Sequence, residues 1–183
     1  MTYKYPFSIE NPAGERILFH GIEHDPKGDK VILEGFAEPN CGPPMHVHFK
    51  QDEGFTIVSG KMGYQLQGQE PVYLEAGASM VFSRGTPHRF WNAGNETLHL
   101  KGFVQPANNL VFFLDTLYAA QRISGKEQPE AFTAAFLLTR YKSEFDMLDV
   151  PKFVRRVIIP LTYFIGRISG KYAKYKNAPA AVK

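Results

Sequence analysis

The stretch "PPMHVHFKQDEGFTIVSG", residues 43–60, contains two histidines one residue apart, followed by acidic residues and a glycine. Alternate side chains of a β-strand point to the same face, so His46 and His48 are expected to project together, about 6 to 7 Å apart along the chain. Two imidazoles at that spacing can converge on one metal ion, at about 2.0 to 2.2 Å from each nitrogen. A lone His-x-His also occurs in strands that hold no ion, so further ligands must come from elsewhere in the chain.

The sequence on both sides of this stretch is typical of short β-strands. Runs rich in β-branched and aromatic residues alternate with turn residues such as "DPKG", residues 25–28. The predicted strands are RILFHGIEH, KVILEGFAE, MHVHF, GFTIVS, KMGYQLQ, PVYLE, SMVF, HRFWN and TLHLKGFV. Many short strands at close spacing indicate an all-β sandwich or barrel rather than alternating strands and helices.

The spacing of apolar residues changes to a helical one beyond Pro106. A first helix is predicted there, with Asn108 or Asn109 available as its N-cap. Its apolar residues are Leu110, Phe113, Leu114, Leu117 and Tyr118. The run "QPEAFTAAFLLTRYK", residues 128–142, predicts a second helix with Pro129 in its first turn.

A third helix is predicted to begin near Pro151. Pro160 should kink or split it, because a proline inside a helix costs about 3 kcal/mol. One apolar stripe follows this helix, and we expect it to pack against the barrel or across a dimer, with a peripheral membrane anchor as the least favoured alternative. The stripe consists of Phe153, Val157, Ile158, Leu161, Ile165 and Ile168.

Length and composition indicate one soluble globular domain. A chain of 183 residues can bury a substantial core, and 44% hydrophobic with 21% charged residues is ordinary. Cys41 is the only cysteine, so no intramolecular disulfide can form. The first residues lack the apolar core of a signal peptide, and no apolar run reaches the roughly 20 residues that span a bilayer. We therefore expect a cytoplasmic location and no membrane span.

The net charge of +3 conceals an uneven distribution. Eight of the 21 Lys and Arg residues lie between Val150 and Lys183, where there is no Asp or Glu, so the remainder carries 13 basic residues against 18 acidic ones. Such a basic segment could dock on its own acidic body, on a second subunit in a homodimer, or on an anionic surface. No nucleic-acid-binding motif accompanies it, so no nucleic-acid partner is expected.

The residues after the two histidines extend the pattern into a recognisable motif. Glu53 follows His48 after four residues, and Gly60 follows Glu53 after six more. This arrangement resembles the first motif of the cupin superfamily, G(X)5HXH(X)3–4E(X)6G. The opening glycine is displaced, because Gly42 stands too close to His46.

A second motif lies 16 residues further along, in "GASMVFSRGTPHRFWN", residues 77–92. It resembles the second cupin motif, G(X)5PXG(X)2H(X)3N, with Gly85, His88 and Asn92 at the required offsets. Ser83 replaces the proline of the motif. The resemblance covers roughly residues 31–105, so the C-terminal helices lie outside it.

The resemblance implies one divalent transition metal ion per subunit, held by His46, His48, Glu53 and His88. Asp52 is the rival of Glu53, but on the opposite face of a strand it should point away from the site. The ion could be Fe, Mn, Ni, Cu or Zn, since three imidazoles and a carboxylate suit them all. Four protein ligands leave positions open on a six-coordinate ion, which favours catalysis over a closed structural site.

Several other polar residues are candidates for a role in the site. Asn92 shares a strand face with His88, so it either supports the site or serves a turn. His20 and His24 fall on one strand face, but no carboxylate motif accompanies them, so a second metal site there is disfavoured. His99 is predicted to be structural.

These features predict a mainly β fold, the double-stranded β-helix or jelly-roll barrel of cupins, with C-terminal α-helices. Residues 1–106 should form the barrel domain and residues 107–183 a helical extension packed on it in the same structural unit. The resemblance to quercetinase-like cupins implies a metal-dependent dioxygenase, an oxidoreductase acting on a small aromatic or oxygenated substrate, with Glu53 as ligand and proton acceptor. The alternatives are a metal-assisted isomerase or decarboxylase of a sugar or keto acid, and a non-enzymatic small-ligand-binding cupin.

Overall fold

The computed structural model describes residues 3–183, which form two antiparallel sheets followed by three α-helices. All nine predicted strands are present, and the predicted jelly-roll fold with C-terminal helices is confirmed. Two further strands, the first and the last, were not predicted. The strands are β1 (Phe7–Glu10), β2 (Glu15–Glu23), β3 (Lys30–Ala37), β4 (His46–His48), β5 (Asp52–Ser59), β6 (Lys61–Leu66), β7 (Val72–Glu75), β8 (Ser79–Phe82), β9 (His88–Asn92), β10 (Leu98–Gln105) and β11 (Phe145–Met147).

The strand order makes each of the two predicted motifs contribute strands to both sheets. One sheet has the order β1-β2-β3-β10-β5-β8, and the other has the order β11-β4-β9-β6-β7. Strand β4 therefore pairs with β9, and His46 lies directly opposite His88 in their register. Strand β5, which carries Glu53, belongs to the other sheet, where it lies between β10 and β8. Side chains that point inward from both sheets can thus meet inside the barrel.

The helices follow the barrel as α1 (Leu110–Ser124), α2 (Ala131–Arg140) and α3 (Ile159–Ile168), with a π-helical turn (Val154–Ile158) before α3 and a 3-10 turn (Ala173–Tyr175) after it. Asn109 is the N-cap of α1, but its side chain does not cap the helix. Glu130 is the N-cap of α2, and its carboxylate accepts hydrogen bonds from the backbone N–H groups of the first turn. Pro129 therefore precedes the cap, and its predicted place in the first turn is wrong.

Helices α1 and α2 share a continuous core with the barrel. Buried side chains from the strands, such as Phe55 and Leu100, belong to the same cluster as Leu110 and Phe113 of α1 and Phe136 of α2. Burying side chains of this size contributes about 1.5 to 3 kcal/mol each. Since the barrel and these helices cover each other's apolar faces, we propose that residues 1–106 and 107–183 form one structural unit.

A buried carboxylate, Glu144, joins three parts of the chain. It accepts hydrogen bonds from the Gln51 side chain at 3.1 Å and from the Asn109 side chain at 2.6 Å. A third comes from the backbone N–H of Val182, at 3.3 Å. Glu144 is completely buried and forms no ion pair among the described residues, so these N–H donors are what offset its desolvation. The network connects the start of β5, the start of α1 and the C-terminal segment.

The segment from residue 178 to residue 183 lies along the body and is held mainly through its backbone. The carbonyl of Pro179 accepts hydrogen bonds from Arg140 and from the hydroxyl of Tyr141, at 3.0 and 2.9 Å. The carbonyl of Ala180 accepts one from the Asn109 side chain at 2.9 Å. These contacts leave the segment docked against α2 and the start of α1.

Pro160 divides the third helical segment as its sequence predicts. It has no N–H to donate to a preceding carbonyl, and it stands in the first turn of α3, where that N–H is not needed. The preceding turn is wider, because the N–H of Ile159 bonds to the carbonyl of Val154 five residues earlier.

The apolar stripe of this segment does not pack against the barrel, so that expectation is wrong. All six of its members are exposed: Phe153, Val157, Ile158, Leu161, Ile165 and Ile168. The segment contacts α2 through its other side, where Gly166 is buried against the ring of Tyr172. Helical periodicity identifies an apolar face but does not say which neighbour covers it. Within residues 3–183, none of the helices has the length and apolarity needed to cross a bilayer.

Deleting residues 178–183 should lower the free energy of unfolding by roughly 2 to 5 kcal/mol, because buried partners such as Glu144 and Tyr141 lose hydrogen bonds. Denaturant unfolding of the full chain and of the truncated chain measures the difference. The control is Lys183→Ala, which keeps the backbone contacts and should unfold like the parent protein. An unchanged unfolding midpoint after the deletion would show that the segment is detached from the folded unit.

Candidate metal centre

Strand β4 supplies the first two side chains of the site. His46 and His48 are both buried, and their ring centroids are 5.1 Å apart. Strand β11 pairs with β4 on its outer edge and fixes its position, with Phe145 opposite His48. The Phe145 ring meets the His48 ring edge-on at 5.3 Å, which restricts the orientation of the imidazole.

The facing sheet supplies a carboxylate, and β9 supplies a third imidazole. Oε2 of Glu53 lies 3.0 Å from Nε2 of His88 and 4.0 Å from Nε2 of His46. One ligand atom from each of His46, His48 and Glu53 can be chosen so that all three lie within 4.8 Å of one another. His88 is 1% exposed, and its ring stacks on Phe82 at 3.8 Å. His46, His48 and Glu53 thus form a three-residue group, and His88 lies beside Glu53 and His46 but 5.9 Å from His48 between ring centroids.

Asp52, the rival carboxylate, points away from this cluster. It accepts hydrogen bonds from Nη2 and Nε of Arg84 at 2.7 and 3.1 Å, on the outside of the sheet. The pKa of Asp52 is held below its usual range by this arginine. Neighbouring residues of a strand face opposite sides, so Asp52 forms an outer ion pair while Glu53 faces inward.

Two glycines allow the loops beside the site to approach it closely. Gly85 adopts a φ of 77° and donates its backbone N–H to the carbonyl of His48 at 2.7 Å, which ties the turn before His88 to β4. Gly42 lies so close to β9 that an added Cβ would meet the carbonyl oxygen of Phe90 at 2.1 Å. A larger residue at position 42 would push the loop before His46 away from β9.

Burial and mutual proximity set the protonation states of the cluster. Burial, together with the nearby His48 and His88, lowers the pKa of His46 to about 3. Burial also lowers the pKa of His48. Burial alone would raise the pKa of Glu53, but the histidines outweigh it and hold the pKa at about 2. At neutral pH the cluster thus offers neutral imidazoles at positions 46 and 48 and an ionised carboxylate, the forms that bind a metal ion.

The hydrogen bonds behind the imidazoles also fit a cation between them. Nδ1 of His46 donates to the carbonyl of Pro44 at 2.8 Å, which leaves Nε2 of the neutral ring as an acceptor. His88 faces acceptors through both nitrogens, the carbonyl of Thr86 at 2.9 Å and the Glu53 carboxylate. A neutral imidazole has one N–H, so a second proton or a metal ion is needed on the Nε2 side. Nδ1 of His48 is buried without a hydrogen-bond partner.

A cavity of about 720 Å³ extends from the cluster to the C-terminal helices. His46, His48 and Glu53 line one part of it. Apolar side chains from the barrel and from all three helical segments line most of the rest, among them Leu33, Phe55, Phe90, Leu100, Leu114, Leu117, Leu138, Val154, Ile158 and Ile159. Polar side chains among the described residues of the lining include Glu15, Arg16, Gln121, Glu127, Gln128, Asp146 and Asp149. The barrel interior is thus enlarged and closed by residues beyond the two motifs.

The remaining polar residues singled out in the sequence lie outside the cluster. Asn92 donates to the carbonyls of Ala37 and Glu96 at 2.8 and 2.7 Å, so it stabilises the turn after β9 and does not support the cluster. His20 and His99 both bond to Glu34. His24 bonds to Asp29 instead. These histidines therefore do not combine into a second cluster.

Sequence reasoning missed the helical part of the cavity wall and strand β11 behind the two histidines. The apolar residues of α1 and α2 were expected only to pack. Three residues, Phe145–Met147, are too few to show a strand alternation. No local signal could therefore have linked them to the site.

Comparison with known proteins finds similarity over part of the chain. Residues 36–104 match a family model described as Cupin_2, the cupin domain. The chain is 33% identical over 76 residues to "Oxidoreductase iacF" of Pestalotiopsis fici, a stretch that covers 40% of the chain and 37% of that protein. It is 31% identical over 67 residues to "Probable oxidoreductase virH" of Hypocrea virens, covering 36% of the chain and 31% of that protein. The chain thus spans about a third of the length of these curated relatives.

Solved structures of low sequence identity also resemble part of the chain. An RmlC-like cupin from Shewanella frigidimarina has a TM-score of 0.49 at 15% identity, covering 58% of this chain and 89% of that one. A protein with a double-stranded β-helix domain from Klebsiella pneumoniae has a TM-score of 0.42 at 24% identity, covering 48% and 76%.

The family-model match spans both motifs and nearly all of the barrel strands from β4 to β10. The strands it covers bear the imidazoles and the carboxylate that face one another between the two sheets. Residues 36–104 of the barrel thus match the cupin domain.

Proposed function

We propose that this protein is a metal-dependent oxygenase in which His46, His48, Glu53 and His88 hold one divalent transition metal ion and the adjoining cavity holds an apolar organic substrate. The observation that carries the proposal is the opening of a buried three-residue ligand cluster onto a large apolar cavity. The oxidoreductase names of the two curated relatives favour redox chemistry over other cupin activities. Dioxygen is the oxidant that such a reaction requires.

The ligand set is supported by charge balance as well as by proximity. Glu53 is ionised and buried, and its partners among the described ion pairs are His46 and His88. A divalent cation beside Glu53 and His88 would satisfy the carboxylate and the acceptor nitrogen of the imidazole together. When bound, such an ion supplies Lewis-acid or redox chemistry toward a substrate or dioxygen.

The cavity lining favours an apolar or aromatic substrate. The wall is dominated by Leu, Phe, Ala and Ile, which favours an apolar substrate over a sugar. It also contains polar side chains, among them Glu15, Gln121, Glu127 and Gln128. The Arg16 guanidinium lies over the ring of Phe36 at 3.8 Å, so it is already engaged.

Glu53 has a second role in this proposal, as a proton acceptor. It is ionised, it lines the cavity, and its Oε2 lies 3.0 Å from Nε2 of His88. A hydroxyl group of a substrate that reached Glu53 could transfer its proton to this carboxylate. His46 and His48, being neutral, do not compete for that proton at neutral pH.

Removing an imidazole from the cluster should abolish metal binding. The His48→Ala and His88→Gln variants are expected to bind the metal ion at least tenfold more weakly. Changing a residue that only supports a ligand already lowers metal affinity by about tenfold, and these changes remove a ligand itself. Elemental analysis after reconstitution with each candidate ion and removal of excess measures the stoichiometry. The control is His99→Gln, which changes an imidazole that bonds to Glu34 far from the cluster and should retain about one ion per chain. Full occupancy in a correctly folded cluster variant would refute the ligand assignment.

Filling the cavity should suppress turnover but leave the metal in place. Ala134 lines the cavity on α2, so Ala134→Trp should reduce oxygen uptake with apolar aromatic compounds by about tenfold or more at unchanged metal content. The measurement is an oxygen-electrode and mass-spectrometry screen of the reconstituted protein. Ala173→Trp, on the exposed 3-10 turn, is the matched control.

Two outcomes of this screen would contradict the proposal. Tight binding of an apolar compound, with neither oxygen uptake nor product, would identify a ligand-binding cupin. Conversion of a compound without oxygen uptake would identify an isomerase or decarboxylase.

A further inference from the structure

The segment from the π-helical turn through α3 presents an apolar face to solvent. We define the exposed helix face as its large apolar side chains that are exposed and do not line the cavity: Phe153, Val157, Leu161, Phe164, Ile165 and Ile168. The exposed fractions of Leu161, Phe164 and Ile168 are 52%, 58% and 69%. Contiguous apolar surface of this kind on a soluble protein indicates a contact with another molecule or with a membrane.

Cationic residues accompany this face, and none of its neighbours in sequence is acidic. Lys152, Arg156 and Arg167 are exposed, and none of them forms an ion pair among residues 3–183. No Asp or Glu occurs from Pro151 to Lys183. Arg156 lies in the π-helical turn and Arg167 in the last turn of α3, so a cation stands near each end of the segment.

A second copy of the chain is a poor occupant of this face. In a closed twofold dimer the same patch meets itself, so the unpaired cations of one subunit would approach those of the other. Like charges brought together at an interface oppose association. Docking of the face on the acidic body of another copy would be a head-to-tail contact, which does not close into a dimer.

An anionic lipid surface can contact both the apolar side chains of the face and the cations beside them. Apolar side chains of a helix that lies in the plane of the membrane enter the boundary between headgroups and acyl chains, while Lys and Arg beside them meet lipid phosphates and carboxylates. We propose that the exposed helix face docks this protein peripherally on a membrane that contains anionic lipids. This proposal concerns only the attachment of the protein to a membrane, and it does not depend on whether the cluster binds a metal ion.

The same helical segment forms part of the cavity wall. Val154, Ile158, Ile159 and Thr162 line the cavity, whereas Val157 and Leu161 of the same turns belong to the exposed helix face. Docking would therefore separate the cavity from the lipid by the thickness of one helix, about 10 Å. An apolar ligand dissolved in the membrane would have a short path to the barrel.

Co-sedimentation of the full-length protein with vesicles tests the proposal. One set of vesicles consists of phosphatidylcholine alone, and the other is a two-to-one mixture of phosphatidylcholine and phosphatidylserine. The protein should bind the mixed vesicles at least tenfold more strongly, and added salt should weaken this binding, because salt screens the attraction. Equal weak binding to both sets, or no binding, would overturn the proposal.

Two pairs of substitutions separate the apolar and the cationic contributions. Leu161→Gln with Phe164→Gln, and separately Arg156→Gln with Arg167→Gln, should each lower the partition coefficient on the mixed vesicles by about tenfold or more. These side chains are exposed, so folding and metal content should not change. The control for the first pair is Val81→Gln, since Val81 is 58% exposed on β8, and the control for the second is Lys101→Gln with Lys126→Gln.

The oligomeric state of the same variants decides between the lipid surface and a second copy. Analytical ultracentrifugation should give the same mass for the wild type and for the Leu161→Gln, Phe164→Gln variant. A dimeric wild type that becomes monomeric in this variant, with no vesicle binding, would replace the membrane surface by a subunit interface.

Discussion

The burial of the Glu53 carboxylate between the two sheets is the constraint on which the rest of the barrel depends. An ionised carboxylate removed from water costs several kcal/mol unless it is paired and hydrogen-bonded. Among residues 3–183, the ion-pair partners of Glu53 are two histidines, and no lysine or arginine reaches it. The imidazoles of β4 and β9 must therefore face it across the barrel. This requirement explains why the register between those two strands places His46 directly opposite His88.

Local patterns predicted the strands, because alternation acts over short distances in sequence. The resemblance to the two cupin motifs implied the four residues of the cluster. The motif interval together with strand alternation favoured Glu53 over Asp52 as the residue that faces inward. These features needed no knowledge of long-range packing.

Long-range contacts could not be predicted in the same way. Glu144 stands in "KSEFD", where it looks like any surface acid, yet it is completely buried against the start of α1 and the C-terminal segment. The stripe that includes Leu161 and Ile165 has the period of a packed helix, yet it faces solvent. In both cases the sequence shows whether a side chain is polar or apolar. It does not show which side chains pack against it, because these come from segments that are distant in sequence.

The C-terminal helices complete the wall of the cavity, which the strands of the two motifs do not enclose by themselves. The barrel strands hold the ligand-type residues, but α1, α2 and the segment before α3 complete the wall of the cavity in front of them. In the proposed function, the size and polarity of the substrate would therefore depend largely on residues outside the two motifs.

X-ray absorption spectroscopy at the edge of the bound metal tests the central claim most directly, because it reports the ligands of the ion itself. For the reconstituted full-length protein, the account predicts three imidazoles and one carboxylate oxygen, each at about 2.0 to 2.2 Å. His46→Gln should remove one imidazole from that shell in any metal that remains bound. A shell with fewer than three imidazoles in the wild type, or one that His46→Gln leaves unchanged, would contradict the account.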